Sequence, residues 1–303
     1  MIDGIINIYK EPGYTSHDVV AKLRGILKQK KIGHTGTLDP EAQGVLPVCL
    51  GTATKVCDML TDHNKTYRTV MLLGTVTDTQ DTTGTVLSSR EISCTESEAE
   101  ACIHSFVGKQ MQIPPMYSAL KVGGKKLCDL ARQGIEIERK PREIEISEII
   151  IEEIELPRIT MTVSCSKGTY IRTLCHDIGA ALGCGGCMES LIRTRAGIFT
   201  LEQSVFLSRV EELRDQGKLQ DILIPVDSVF SDYRAIHLND YGYRLVCNGN
   251  PFSRKSCTET VTCHADECFR VYGTDGGFMA VYRWDSARSL FFPVKMFQTK
   301  QLS

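Results

Sequence analysis

Residues 33 to 47 of this 303-residue chain read GHTGTLDPEAQGVLP, with the carboxylate of Asp39 at the centre. Gly33, Gly36 and Gly44 lack a Cβ, and Pro40 and Pro47 lack an N–H. The segment therefore predicts an irregular loop that holds one carboxylate in a fixed pose. A carboxylate held in this way is a candidate nucleophile. Asp before Pro is also a common turn initiator that bonds only its own backbone, and both readings stand at this point.

Other chemistries are less well supported. Thr35-Gly36-Thr37-Leu38 echoes the phosphorylation loop of aspartyl-phosphate ATPases and phosphatases, but Gly33-His34 stands where that motif needs Asp-Lys. Thirteen cysteines run from Cys49 to Cys268 without the spacing of a disulfide framework. Cys184 and Cys187 form a CxxC, and Cys257, Cys263, His264 and Cys268 lie close together near the end. Zinc needs four ligands meeting at one point, and a redox CxxC opens a helix after a strand, whereas this one follows a predicted helix. The expectation is reduced thiols and no metal.

The chain is long enough for two domains, and its 42% hydrophobic and 24% charged content is ordinary for a globular protein. The start, MIDGIINIYKEPG, carries no basic leader, and no later run is apolar enough to span a bilayer, so the expected location is cytoplasmic. A net charge of −2 and a pI near 6.4 argue against indiscriminate coating of nucleic acid. Basic residues nevertheless gather at Lys22 to Lys31 and at Lys121 to Arg142, and acidic ones at Glu91 to Glu100 and Glu143 to Glu155. Basic faces on an acidic body suit a partner of defined polyanionic shape.

The elements that must position these residues follow from periodicity. Thr15 to Asp18 predicts a capping box opening a helix over about 17 to 30. Val45 to Leu50 and Thr66 to Leu73 read as strands, and Ala53 to Leu60 as a helix opened by Thr52. Thr75 to Thr85 reads as a polar connection. Thr95 caps a helix ended by Gly108. Glu143 to Ile154 and the alternation at Ile159, Met161, Val163 and Cys165 predict strands, and Thr169 to Leu182 an amphipathic helix. Residues 114 to 142, rich in Pro, Gly and basic groups, suit a protruding element. After Pro225 to Ser231 the pattern becomes that of a small, mostly β domain with strands at Arg270 to Tyr272, Phe278 to Trp284 and Leu290 to Phe297.

Four segments, Lys10-Glu11-Pro12-Gly13-Tyr14-Thr15-Ser16, the Asp39 loop, Lys65-Thr66-Tyr67-Arg68 and Gly168-Thr169-Tyr170-Ile171-Arg172-Thr173-Leu174, stand in one order. Together with Pro114-Pro115, Ser118-Ala119-Leu120-Lys121 and Leu191-Ile192-Arg193-Thr194-Arg195-Ala196-Gly197 they resemble the TruB-type family, the bacterial tRNA pseudouridine-55 synthases. The resemblance spans nearly all of the first 200 residues. The C-terminal segment looks like the PUA RNA-binding domain of that family.

The resemblance implies an α+β fold: a mixed, mainly antiparallel sheet flanked by helices over 1 to 228, and a PUA-like domain over 229 to 303. It implies an isomerase that works without cofactor on the T arm of tRNA. The uridine N1–C1′ bond breaks, the base turns, and C5 joins C1′. Asp39 matches the family's catalytic Asp, Arg172 its counter-charge, and Tyr67 the ring that stacks on the target base. A base in a folded loop must be swung out before it can react. His34 matches the histidine that meets the displaced nucleotides, and Lys10 a residue supporting the loop. Lys55, Tyr170 and Leu191 match further wall residues, while Lys121 belongs to the basic insertion, 114 to 142, that closes over the T arm. Cys128 departs from the pattern, standing where the family has Tyr. A monomer needing no guide RNA or membrane is implied. The alternatives are the guide-RNA-dependent H/ACA subunit, which lacks this insertion, and a non-catalytic tRNA-folding factor, which would not need the Asp39, Tyr67 and Arg172 set.

Overall fold

In the computed structural model, which describes residues 2–297, the apolar runs assemble into one large sheet and one small one. The large sheet has nine strands. Its path runs Gly4–Lys10, Gln43–Leu50, Gly186–Ala196, Lys65–Leu73, Arg158–Cys165, Arg142–Glu155 and Gly108–Gln112, with Ile32–His34 and Phe199–Thr200 attached at its side. Neighbours are antiparallel except at one seam, where Gly186–Ala196 runs parallel to Gln43–Leu50, pairing Ile192 with Gln43 and Arg193 with Gly44. Gly44 sits at φ 98°, and a Cβ there would lie 2.3 Å from the Arg193 carbonyl oxygen, so only glycine lets the two halves of the sheet meet. The Asp39 loop enters the sheet at this seam.

Helices cover the faces as their periodicity requires. Ser16–Leu27 opens on Thr15, with the capping box to Asp18 formed, and packs Val19, Leu23 and Leu27 against Ile6, Ile8 and Leu46. Ile171–Ala181 turns Leu174, Cys175 and Ile178 onto Met71 and Met161. These two helices, the mixed sheet and the small C-terminal β domain make the α+β fold expected from the sequence.

Two elements differ from their expected form, and two strands have no expected counterpart. The segment read as a helix over Ala53 to Leu60 splits into a 3-10 turn, Gly51–Val56, and a short α-helix, Cys57–Thr61. Thr52 supplies no cap, and β-branched Thr52, Thr54 and Val56 fit an α-helix poorly. The helix after Thr95 ends at His104, and Gly108, at φ 114°, starts the edge strand Gly108–Gln112 instead of terminating the helix. Gly4–Lys10 and Gly186–Ala196, both central to the site, were not read as strands at all.

The small sheet is ordered Arg234–His237, Cys268–Tyr272, Phe278–Asp285 and Leu290–Met296, around Phe252, Phe269, Tyr282, Trp284 and Phe291. Residues 298 to 303 of the unit read as 229 to 303 lie outside the described residues. Phe230, Phe278, Val281 and Phe297 share one apolar cluster with Ile5, Val45, Val56, Leu60 and Phe199 of the large sheet and its turn. The small domain is thus packed onto the back of the strand that leaves the Asp39 loop. Phe230→Ala at this junction is expected to lower the stability of the whole chain by about 3–5 kcal/mol in a urea titration. A loss under about 1 kcal/mol, the size of a surface change, would mean that the two units do not share a core.

Candidate active site

The Asp39 loop is held from three sides. Leu38 N–H donates to Ser16 Oγ at 2.9 Å, Gly13 N–H donates to the Pro40 carbonyl at 3.0 Å, and Ala42 N–H closes back on the Asp39 carbonyl at 3.1 Å. Beneath it Lys10, fully buried, donates from Nζ to the carbonyls of Glu11, Pro40 and Ala42 at 3.1, 2.8 and 2.6 Å. Burial pulls the Lys10 pKa down to about 8, against the pull of Glu41 and Asp39. Still protonated at neutral pH, it has all three hydrogens occupied by carbonyls. Lys10 therefore holds the loop, with no hydrogen left over for a substrate.

Arg172, second residue of the helix Ile171–Ala181, grips the Asp39 carboxylate with both arms of its fork. Nε lies 2.8 Å from Oδ2 and Nη2 3.0 Å from Oδ1. The remaining donors are tied as well, Nη1 to the Thr79 carbonyl at 3.0 Å and Nη2 to the Tyr117 carbonyl at 2.7 Å. Asp81 Oδ2 stands 3.8 Å from Nη1. The Asp39 carboxyl sits above the usual carboxylate range: burial pushes it up, Arg172 opposes that, and Asp81 adds to the rise. The raised affinity for protons makes a stronger nucleophile, and Arg172 favours the ionised form.

A cavity of about 380 Å³ opens over this pair, lined among others by Tyr67, Tyr170, Leu191 and Arg193. That volume suits a small organic group such as a nucleoside. Tyr67 lies on Lys65–Leu73 directly across from Arg193, and burial raises its phenol pKa, keeping the hydroxyl protonated. Tyr170 is clamped by Gln112, whose amide accepts from Tyr170 N–H at 2.8 Å and donates to its carbonyl at 3.1 Å.

The structure thus brings Asp39, Tyr67, Arg172, Tyr170 and Leu191 onto one cavity, and places the other expected residues elsewhere. Lys55 is not on the wall of this cavity: the 3-10 turn aims it at the small domain, where Nζ donates to the Met296 carbonyl at 2.8 Å. His34 sits beside the loop, edge-on to His17 with ring centroids 5.4 Å apart, and its Nδ1 accepts from Gly36 N–H at 3.3 Å. Burial lowers its pKa to about 4, so it is neutral at physiological pH. Lys121 is exposed on the hairpin of the insertion, one residue beyond the cavity-lining Leu120. The insertion carries a core of its own, Met116, Leu127 and Leu130, and exposes Lys125, Lys126 and Arg132.

Two residues receive no role from the sequence: Arg193, although its segment helps carry the family resemblance, and Asp81. Arg193 is 1% exposed, donates from Nε to the Val45 carbonyl at 2.7 Å and from Nη2 to the Gly36 carbonyl at 3.3 Å, and so ties the seam to the loop. Its only signal was an arginine inside an apolar run. Asp81 lies in the segment read as a mere connection, where the alternation of Asp and Thr is the one hint. Among the described residues no three His, Cys, Asp or Glu side chains converge on a metal position. Cys184 and Cys187 are buried and free, and burial pushes the Cys257 thiol up to about 12.

Comparison with known proteins gives the same direction from several sides. Residues 24–171 match the description "TruB family pseudouridylate synthase (N terminal domain)", and residues 172–231 match "tRNA pseudouridylate synthase B C-terminal domain". The tRNA pseudouridine synthase B of Lachnoclostridium phytofermentans is 50% identical, covering 98% of this chain and 100% of that one. Its counterpart from Clostridium tetani is 44% identical over 90% and 93% of the two chains. Among solved structures, a Cbf5-Nop10-Gar1 complex contains a chain similar at a TM-score of 0.74 and 27% identity, over 98% of this chain and 85% of that one. An H/ACA RNP bound to a substrate RNA containing 2′-deoxyuridine matches at 0.73 and 25%, over 98% and 86%. Among the described residues no helix is long and apolar enough to cross a membrane.

Proposed function

The chain belongs to the TruB family of pseudouridylate synthases, and from that membership we propose that it isomerises uridine 55 in the T arm of tRNA to pseudouridine, with Asp39 as nucleophile. The observation that carries this reading is the buried Arg172–Asp39 fork opening on a nucleoside-sized cavity walled by Tyr67, Tyr170 and Leu191.

The chemistry needs three things from the protein. The target uridine must be swung out of the T loop into the cavity, at a cost of a few kcal/mol that binding of the rest of the arm offsets. Its base must be held while the N1–C1′ bond is broken, and the Tyr67 ring offers that platform. Asp39 supplies the negative charge the cleavage needs, as a nucleophile that traps C1′ or adds to C6 of the base, or as a base that takes a sugar proton to leave a glycal. After the base turns, C5 joins C1′ and the C5 proton leaves. Arg172 holds the carboxylate ionised and aimed throughout.

The basic insertion, 114 to 142, and the PUA-like unit, 229 to 303, are read as the surfaces that contact the tRNA backbone and arm. Relatives of 44% and 50% identity over nearly the full chain favour a stand-alone tRNA enzyme, and the similarity to H/ACA chains at 25–27% favours only a shared catalytic fold; a monomer is part of the proposal. The test uses the purified full chain and a tRNA transcript carrying tritium at C5 of uridine, without guide RNA, cofactor or added metal. One equivalent of tritium per tRNA is expected. No release under these conditions, or release only when a guide RNA is added, would overturn the reading.

A further inference from the structure

The active-site cavity contains one buried hydroxyl that the protein itself leaves unsatisfied. Ser118 is 5% exposed and lines the cavity with Asp39, Tyr67 and Arg172, and among the described residues its Oγ makes no hydrogen bond of good geometry. The Tyr170 hydroxyl is close enough for Ser118 Oγ to oppose the rise that burial gives its pKa, but the pair is not aligned as a well-formed hydrogen bond. Buried polar groups are nearly always paired, so an orphan on a cavity wall points to a partner that arrives with the ligand.

The backbone shows that Ser118 is held in place. Its N–H donates to the Met116 carbonyl at 2.9 Å, and its carbonyl accepts from Cys128 N–H at 3.1 Å. The preceding residue, Tyr117, accepts from Arg172 Nη2 at 2.7 Å, and that same nitrogen donates to Asp39 Oδ1 at 3.0 Å. One guanidinium nitrogen therefore links the peptide before Ser118 to the reactive carboxylate. The hydroxyl keeps a set position relative to Asp39, although the two residues come from segments far apart in the chain. A serine hydroxyl both donates and accepts, and the edge of a uracil offers an N3–H donor flanked by two carbonyl acceptors.

Resting on the function proposed above, we infer that Ser118 Oγ hydrogen-bonds the polar edge of the flipped uracil and positions it against Asp39. This gives the insertion a direct part in the chemistry: its first residues place the base, and its basic remainder contacts RNA. Since Oγ makes no well-formed bond among the described residues, removing it should cost the fold little.

The experiment measures single-turnover tritium release at saturating tRNA for wild type, Ser118→Ala, Tyr170→Phe and the double variant. Ser118→Ala is expected to slow release about 10- to 100-fold, or about 1.4–2.7 kcal/mol of barrier. Its melting temperature should equal or exceed that of wild type, its tRNA affinity by filter binding should stay within about twofold, and the acid limb of its pH profile should not move. The two single effects should multiply in the double variant, as for independent groups. An undiminished rate, a lowered melting temperature, a shifted acid limb or non-multiplying effects would each overturn the inference, the last by showing that the hydroxyl serves Tyr170 and not the base. Failure of the wild type to release tritium would instead overturn the proposed function, which separates the two.

Discussion

Asp39→Asn is expected to cut tritium release by at least about a thousandfold, the scale on which removing a nucleophile acts, while tRNA affinity stays within about threefold. The amide keeps the shape of the carboxylate and one oxygen for the Arg172 fork, so the loop held by Ser16 and Lys10 has no reason to move. What disappears is the charge. Burial works against that charge in the folded state, and Arg172 keeps the amide oxygen and the Asp81 carboxylate 3.8 Å from Nη1 when it is lost. The folded pKa of Asp39 is raised, so the folded state favours the protonated form, and ionised Asp39 weakens stability once the pH exceeds the unfolded value. A neutral side chain removes that penalty, and Arg172 retains the carbonyls of Thr79 and Tyr117. The melting temperature of Asp39→Asn at neutral pH should therefore not fall. A variant that keeps more than about a tenth of the wild-type rate would be too active for a lost nucleophile and would remove Asp39 from the chemistry.

The parts of the site that were legible in the sequence are those whose local composition is unusual. Asp39 lies between glycines and prolines, and Arg172 follows Gly168-Thr169-Tyr170 at the opening of an amphipathic helix, so both stand out from ordinary core or surface patterns. The seam that joins them was not legible. Gly186–Ala196 is bulged between Met188 and Ser190 and again between Arg193 and Arg195, which breaks the alternation that marks a strand. Gly4–Lys10 is almost wholly buried and so has no alternation to show, and its Lys10 is satisfied by carbonyls some thirty residues away. Lys55 misled for the opposite reason: a basic residue near the loop in sequence is turned by a 3-10 geometry toward Met296. Periodicity reports which face of an element is buried, and the partner that a polar residue finds across the sheet leaves no local trace.

Arg172→Met is expected to show how much of the reactivity of Asp39 comes from its counter-charge. Burial already raises the Asp39 pKa, and Arg172 is the largest influence opposing that rise. Without the guanidinium the pKa climbs further, so the acid limb of the rate profile moves to higher pH. The cavity face of Asp39, with its side chain 36% exposed, lets solvent screen part of this. The rate deficit should then be deepest below neutral pH and shrink as the medium becomes alkaline. Arg172→Lys, which keeps a charge but loses the fork, should give an intermediate limb and a lower plateau, because aim is lost even where ionisation is kept. Stability should drop by about 3 kcal/mol in Arg172→Met, since the Thr79 and Tyr117 carbonyls lose their donor and the carboxylate its partner. Arg172 is only 4% exposed and faces Asp39 instead of the surface, so filter binding of tRNA should change little. A deficit constant across pH would show that Arg172 only holds the structure together, and an affinity loss matching the rate loss would make it an RNA contact.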